Sequence, residues 1–300
     1  MIIFGWIAGK KLNVQRESIA HLLLYIVVPV VTFKAIFLTD LNAKTFSYPL
    51  YFFITGTFMA ISFFYIGKLF LSSREQAGLL SLSASLANVG YFGLPLVFAL
   101  YGEQALGITV LLILGLSLHE SFTAFLIAAR GKYHLKDALR KTLRLPTIYT
   151  SILAVVCNLA YKNYYMPGTF WDPVIKSFLD MADKFIGAYS FLGMLMIGLG
   201  LAKINKLSFD FKFISLSLIA KYLVFPALAL GFIYLDTNFW HFYPRSALDI
   251  IFLMSIVPTG ANTISIATEL DLDTDTVSIT VLLSTLFALV YIPWVLSGVG

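Results

Sequence analysis

Two short strings in this chain combine residues that interrupt helices with residues that can hold a small polar ligand: Asn88 to Pro95 (NVGYFGLP) and Val257 to Asn262 (VPTGAN). Asn88 and Asn262 each offer an amide donor and a carbonyl acceptor without carrying a charge. Gly90, Gly93 and Gly260, with Ala261 beside the last, let the main chain approach a ligand. Pro95 and Pro258 remove intrahelical hydrogen bonds and leave carbonyls free. A helix restarting after such a break presents unpaired N–H groups and a partial positive charge of about half an elementary unit. A small carboxylate suits that environment. Unwound carbonyls could equally hold sodium, but neither string contains an acidic residue to neutralise one, so a facilitated or proton-coupled anion site is the expectation.

Three titratable residues also fall inside apolar segments: His119, Glu120 and Lys221. Each is expensive in hydrocarbon unless it is paired or functional. Measured from Arg130 and Lys212, Glu120 and Lys221 lie at a common depth of roughly 14 Å at 1.5 Å per residue. One reading makes Glu120 a proton carrier, together with His119, and Lys221 an attractor for the anion. The other makes Glu120 and Lys221 an internal ion pair, which explains both with no further assumption. His119 and Glu120 are also the one acid–base pair an intramembrane enzyme could use, and no convergent constellation accompanies them. Asp271, Asp273 and Asp275 have the spacing that opens a calcium loop. Thr276 stands where that loop needs glycine and Leu282 where it needs glutamate, so a turn capping the last helix is expected.

The elements that must position these residues follow from composition. Hydrophobic residues make up 59% of the chain, charged residues 12%, and the mean hydropathy is +0.86. A soluble domain of this length could not bury so much apolar surface, which excludes soluble enzymatic modules. Apolar runs of about 20 residues, the length that crosses a bilayer, occur near Ser18–Leu38, Ser47–Leu71, Gln76–Tyr101, Gln104–Ala129, Pro146–Tyr161, Val174–Ala202, Phe211–Leu235, Ser246–Glu269 and Thr276–Leu296. Met1 to Ala8 reads as the end of a further span with its start clipped, and makes a poor signal peptide. The expectation is an all-α polytopic membrane protein of ten transmembrane helices, the first one clipped. Cys157 falls in an apolar run and reads as a small core residue.

Basic residues orient the spans. Lys10, Lys11, Arg16, Lys68, Arg74, the run Arg130 to Arg144, Lys203, Lys206 and Lys212 share one face, which is therefore cytoplasmic in a cell membrane. The opposite face has only Lys34, Lys44, Lys162, Lys176, Lys184 and Arg245. Lys34 is expected to snorkel to headgroups, and Asp180, Asp183 and Lys184 to form an interfacial cluster. This asymmetry and contact with anionic lipid explain the pI near 9.1 without invoking nucleic acid. The basic loop 130–145 separates a first half, 1–129, from a second, 146–300. With five helices in each, the halves insert upside down relative to one another, and the broken span is the fourth of each. Paired interruptions in inverted repeats point to a midplane site formed by crossed helices 4 and 9.

The strings NVGYFGLPL, PTGANTISIATELDLD, VLLSTLFALVYIPW and LLLYIVVPVVTF, in the corresponding spans, resemble the auxin efflux carrier family, the bacterial and archaeal relatives of plant PIN transporters. In plant carriers Pro precedes the first crossover Asn; here Ala87 does. The long hydrophilic loop of those carriers is missing, and with it any phosphorylation control. The resemblance implies two inverted five-helix repeats, with a scaffold of helices 1, 2, 6 and 7 and a transport core of helices 3–5 and 8–10. It also implies elevator-like movement of a small organic anion such as auxin, malate or malonate, and a homodimer through the scaffold. The fold is more distantly similar to sodium-coupled bile acid symporters, whose acidic crossover residue is not evident here. A secondary transporter of a small organic anion is thus expected, with a sodium symporter or an anion channel or sensor on the same scaffold as the alternatives.

Overall fold

The computed structural model describes residues 1–38, 43–102, 105–164, 171–203 and 210–299. Among these every element is helical. In chain order they are α1 (Ile2–Lys11), α2 (Arg16–Leu22), α3 (Val28–Leu38), α4 (Ala43–Phe70), α5 (Arg74–Ser85), α6 (Leu94–Tyr101), α7 (Leu106–His119) and α8 (Phe125–Lys132). Then come α9 (Leu135–Thr142), α10 (Pro146–Tyr164), α11 (Trp171–Lys203), α12 (Phe211–Ile219), α13 (Phe225–Leu235), α14 (Arg245–Ser255), α15 (Asn262–Glu269) and α16 (Thr274–Val299). Six continuous stretches are long and apolar enough to cross a bilayer, beginning at Arg16, Phe46, Gly107, Trp171, Phe211 and Thr274. A seventh forms if α10 is joined to the amphipathic α9, from which it bends by 57°. Neither α1 nor the two interrupted pairs α5/α6 and α14/α15 contains a helix of spanning length. Lys206 and the Gln104 start of one expected span lie outside the described residues.

Several spans widen where a simple pattern of apolar residues predicts an unbroken helix. π-Turns occupy Leu23–Val27, Val89–Gly93 and Ala220–Val224, and each is followed, after one residue, by a proline: Pro29, Pro95 and Pro226. The intervening residue makes the wide bond, from Val28 N–H to Leu23 O, Leu94 N–H to Val89 O and Phe225 N–H to Ala220 O. A proline ring displaces the carbonyl four residues back, so the helix opens by one residue and continues. A fourth π-turn, Glu120–Ala124, has no following proline. Thr123 Oγ1 there donates back to the His119 carbonyl at 3.3 Å, competing with the ladder.

Packing divides the helices into two groups. In the first, α1 lies along α11, and α3 lies against α10 and α11. A Cβ on Gly5 would collide with the Leu195 carbonyl and one on Gly9 with the Ala202 side chain, so this Gly-x-x-x-Gly face sets the α1–α11 contact. Asn158 Nδ2 ties α10 to the end of α3 through the carbonyls of Ile36 (3.1 Å) and Phe37 (2.8 Å). In the second group α4 packs on α5 and α7, and α5 on α8 and α12. Gly115 of α7 touches the Pro49 backbone of α4.

Two expectations at the span ends change. Lys34, whose side chain is only 12% exposed, does not snorkel; it pairs with Asp183 and reaches the Leu179 carbonyl, joining α3 to α11. An ammonium held inside a bundle finds a better partner in a neighbouring carboxylate than in distant headgroups. Asp183 is therefore committed across helices. The aspartate turn is a cap, as its spacing suggested: Asp273 accepts from the N–H groups of Asp275 (3.1 Å) and Thr276 (3.2 Å) at the start of α16. Asp271 stands in a left-handed conformation (φ 53°) and pairs with Lys132 at 2.7 Å, which holds its carboxyl below the usual range.

Gly5→Leu should wedge α1 away from α11, an overpacking change of about 1–3 kcal/mol. Thermal unfolding in detergent should show a lower midpoint for this variant and no change for Gly107→Ala, where an added Cβ meets nothing within 4 Å.

Candidate functional site

The two interruptions meet. Ala87 and Thr259 form an isolated antiparallel bridge, in which Asn88 N–H donates to Pro258 O at 2.8 Å and Gly260 N–H to Leu86 O at 3.0 Å. A run of non-helical backbone inside a membrane must satisfy its polar groups within the protein. Here each break supplies the other. The second break is held further by α16, whose Ser284 Oγ accepts from Thr259 N–H at 2.9 Å, while Thr259 Oγ1 donates to Ser83 O at 3.4 Å. Tyr222 OH fixes the same turn of α16 by donating to Ser284 O at 2.6 Å.

The first break is shorter than the string that signalled it. In the first, helix stops after Ser85 and resumes at Val89, so Gly90, Gly93 and Pro95 all lie in the restarted helix. Pro95 stands inside that helix, and the π-turn Val89–Gly93 before it accommodates the missing N–H and the displaced carbonyl. Gly93 packs against α14, where a Cβ would lie 2.6 Å from Met254 Sδ. Its smallness serves helix packing. In the second, α14 ends at Ser255 and α15 begins at Asn262, as the VPTGAN string implied. Pro258 contributes its carbonyl to the bridge and is not part of the pocket wall.

A small cavity of about 20 Å³, room for about one water molecule, lies on one side of this bridge. Of the residues singled out from sequence, Asn88, Gly90, Gly260, Ala261, Asn262 and Glu120 line it, whereas Gly93, Pro95, Pro258, His119 and Lys221 do not. Both restarted helices begin at its wall, and no side chain caps either N-terminus. The positive ends of two helix dipoles therefore face one space.

Charge is arranged differently from the expected ion pair. Glu120 Oε2 accepts from Asn262 Nδ2 at 2.9 Å, and the same amide nitrogen donates to Tyr189 OH at 2.7 Å. Lys221, fully buried, makes no hydrogen bond; its Nζ lies 4.3 Å from the centre of the Phe225 ring. Equal depth did not make the two residues neighbours, because depth leaves open which way a side chain points around its helix. His119 also turns away from the pocket. Its Nδ1 is 2.6 Å from Thr123 Oγ1 and 3.3 Å from Thr57 Oγ1, and its ring fills the space left by Gly56. His119 and Glu120 thus do not converge as a catalytic pair would.

The polar lining of the pocket was only partly legible in the sequence. Glu120 was singled out as a proton carrier or half of an ion pair without being assigned to the crossover, and Tyr189, on α11 of the first packing group, carried no signal at all. Three buried polar atoms of the pocket wall lack any hydrogen bond: Asn88 Nδ2, Asn88 Oδ1 and Glu120 Oε1. Buried groups are nearly always satisfied. Asn88 is 2% exposed and Glu120 7%. Such a concentration of unmet donors and acceptors is what a site completed by water or a ligand presents.

Helices of bilayer length around a crossover with an unsatisfied polar pocket define a multi-pass membrane transporter. The comparisons agree: a family model described as membrane transport protein matches residues 1–296, and the chain belongs to that family. It is similar to an uncharacterized transporter of Methanocaldococcus jannaschii, 23% identical over 99% of this chain and 96% of that protein. A second uncharacterized transporter, from Methanothermobacter thermautotrophicus, is 23% identical over 98% of this chain and 93% of its own.

Asn88 and Ser284 should separate binding from stability. Ser284→Ala leaves the Thr259 N–H unmet and should cost about 1–3 kcal/mol in unfolding measurements. Asn88→Ala removes two atoms that already lack partners, so the unfolding midpoint should stay or rise.

Proposed function

We propose that the chain is a secondary transporter of a small organic anion, a mono- or dicarboxylate, bound where the two broken helices cross in the cell membrane. The observation that carries this reading is the pocket itself. Two uncapped helix N-termini and an Asn88 side chain with both polar atoms unpartnered converge on one space. Oriented N–H groups and an amide hold a carboxylate without a compensating buried cation.

In this reading the antiparallel bridge is the crossing point of two inverted five-helix repeats, 1–129 and 146–300, joined by the cytoplasmic loop 130–145. Ten spans result if α1 and each broken pair count as one. The group containing α1, α3, α10 and α11 is the scaffold, and the group around the crossover is the transport core. Only Tyr189 among the pocket residues comes from the scaffold, on α11. A core that slides along α11 would carry the anion past this one fixed contact, an elevator motion.

The test is ligand-induced stabilisation. Purified protein is screened by thermal shift against malonate, malate, indole-3-acetate and matched uncharged amides. At least one carboxylate should raise the unfolding midpoint saturably, the amides should not, and Asn88→Ala and Asn262→Ala should each weaken the effect tenfold or more, about 1.4 kcal/mol. Reconstituted protein should then show saturable uptake and trans-stimulation. Flux rising linearly with concentration would identify a channel instead.

A further inference from the structure

We infer that Glu120 carries a proton into the pocket with the anion, so that each transported carboxylate is accompanied by one proton. This rests on the anion reading above and adds the coupling ion to it. The starting point is an unexpected neighbour. A site built from helix N-termini to receive a carboxylate already contains one, with Oε2 bound to Asn262 and Oε1 facing the pocket without a partner.

Two ionised carboxylates in one desolvated space repel strongly, and one of them must hold a proton for both to be present. The surroundings offer no other compensation. Among the described residues no lysine, arginine or histidine forms an ion pair with Glu120, and the nearest candidate by depth, Lys221, lies over Phe225. The other titratable groups on elements packed against this turn are occupied or remote. His119 faces Thr57 and Thr123, Tyr51 of α4 packs on Phe52 and Phe232, Tyr149 of α10 donates to the Leu143 carbonyl, and Lys132 at the end of α8 is held by Asp271. Arg74 and Glu75 open α5 and Arg130 closes α8, each more than a turn beyond the pocket along its helix. Tyr189, facing the pocket from α11, shares the Asn262 amide.

The proton balance is simple. Water on the side of entry gives a proton to Glu120 Oε1, forming a neutral acid whose O–H can then donate to the bound anion. After release on the other side that O–H bond breaks, and the proton passes to water. An ionised, empty Glu120 would instead sit beside the two helix N-termini, which compensate it in place of substrate. Either the anion or the Glu120 charge occupies the positive centre, never both, and this exclusion makes the coupling obligatory.

Glu120→Gln separates the possibilities, since the amide keeps the shape and can still accept from Asn262. Proteoliposomes holding wild-type protein are loaded with radiolabelled malonate or indole-3-acetate on one side. An inward-acidic or outward-acidic gradient of one pH unit should drive accumulation toward about tenfold, one unit being a tenfold difference in proton activity. Glu120→Gln should lose gradient-driven accumulation, and whatever exchange it retains should not respond to pH. Accumulation by Glu120→Gln equal to wild type, or accumulation driven by a sodium gradient and indifferent to pH, overturns the inference while leaving the anion site standing. If neither anion is moved or bound by wild type, the substrate reading fails and this inference, which rests on it, falls with it. Where an anion binds, infrared spectroscopy at saturating anion decides Glu120: a protonated-carboxyl band at neutral pH that vanishes in Glu120→Gln supports the inference, and its absence from wild type sinks it.

Discussion

The antiparallel bridge between Ala87 and Thr259 is the constraint on which the rest of this structure depends. In a hydrocarbon surround, a helix that stops leaves carbonyls and N–H groups with no water to receive them, and each unmet group costs several kcal/mol. One broken helix could not survive there alone. Two breaks facing in opposite directions satisfy each other through Asn88 to Pro258 and Gly260 to Leu86. The remaining Thr259 donors are absorbed by Ser284 and Ser83. Because the pairing is antiparallel, the restarted helices leave the crossing in opposite directions with their positive ends together. The pocket is therefore a geometric consequence of how the backbone is satisfied.

That origin also explains why the site is polar without being crowded by charge. The bridge consumes the backbone groups nearest the crossing, while Asn88 and Glu120 are left with atoms that no neighbour serves. Asn262 is treated differently: its amide is stretched between Glu120 and Tyr189, so it orients two other groups. The two asparagines, equivalent in the sequence strings, thus have unequal tasks. Asn88 is open to a ligand, and Asn262 holds the acidic side chain against the crossing.

Much of this was legible from residue types. Glycine, proline and asparagine in matched apolar runs located both breaks, and the second was placed to within one residue at each end. The first was misjudged because Pro95 was taken as part of a gap, whereas a proline that follows a π-turn by one residue widens a helix without ending it. The same pattern at Pro29 and Pro226 was present in the sequence and unused. What could not be read were contacts that depend on the angle around a helix. Glu120 and Lys221 share a depth but not an azimuth, and the contacts of Tyr189 with Asn262 and of Lys34 with Asp183 join residues 73 and 149 positions apart. Periodicity tells how far along its helix a side chain lies, and only packing tells whom it meets.

The contrast between the contacts within and between the two packing groups bears on motion. Within a group, backbones touch where glycine permits, as at Gly5 and Leu195 or Gly115 and Pro49, and such contacts cannot shift by one side chain without collision. Between the groups, the joints are long polar side chains at the ends of helices. Tyr25 OH donates to Glu269 Oε1 at 2.9 Å, His21 Nε2 lies 2.9 Å from Glu269 Oε2, and Arg16 lies 3.8 Å from Asp275. Flexible side chains of this kind can exchange partners while the helices that bear them move. One close approach between the groups, Gly200 beside Ser278, carries no hydrogen bond across it, since the Ser278 hydroxyl donates to Thr274 O in its own helix. A smooth small-residue seam with exchangeable polar ends resists separation more than it resists sliding. The bridge, by contrast, lies wholly inside one group, so its hydrogen bonds would stay intact under the motion proposed above.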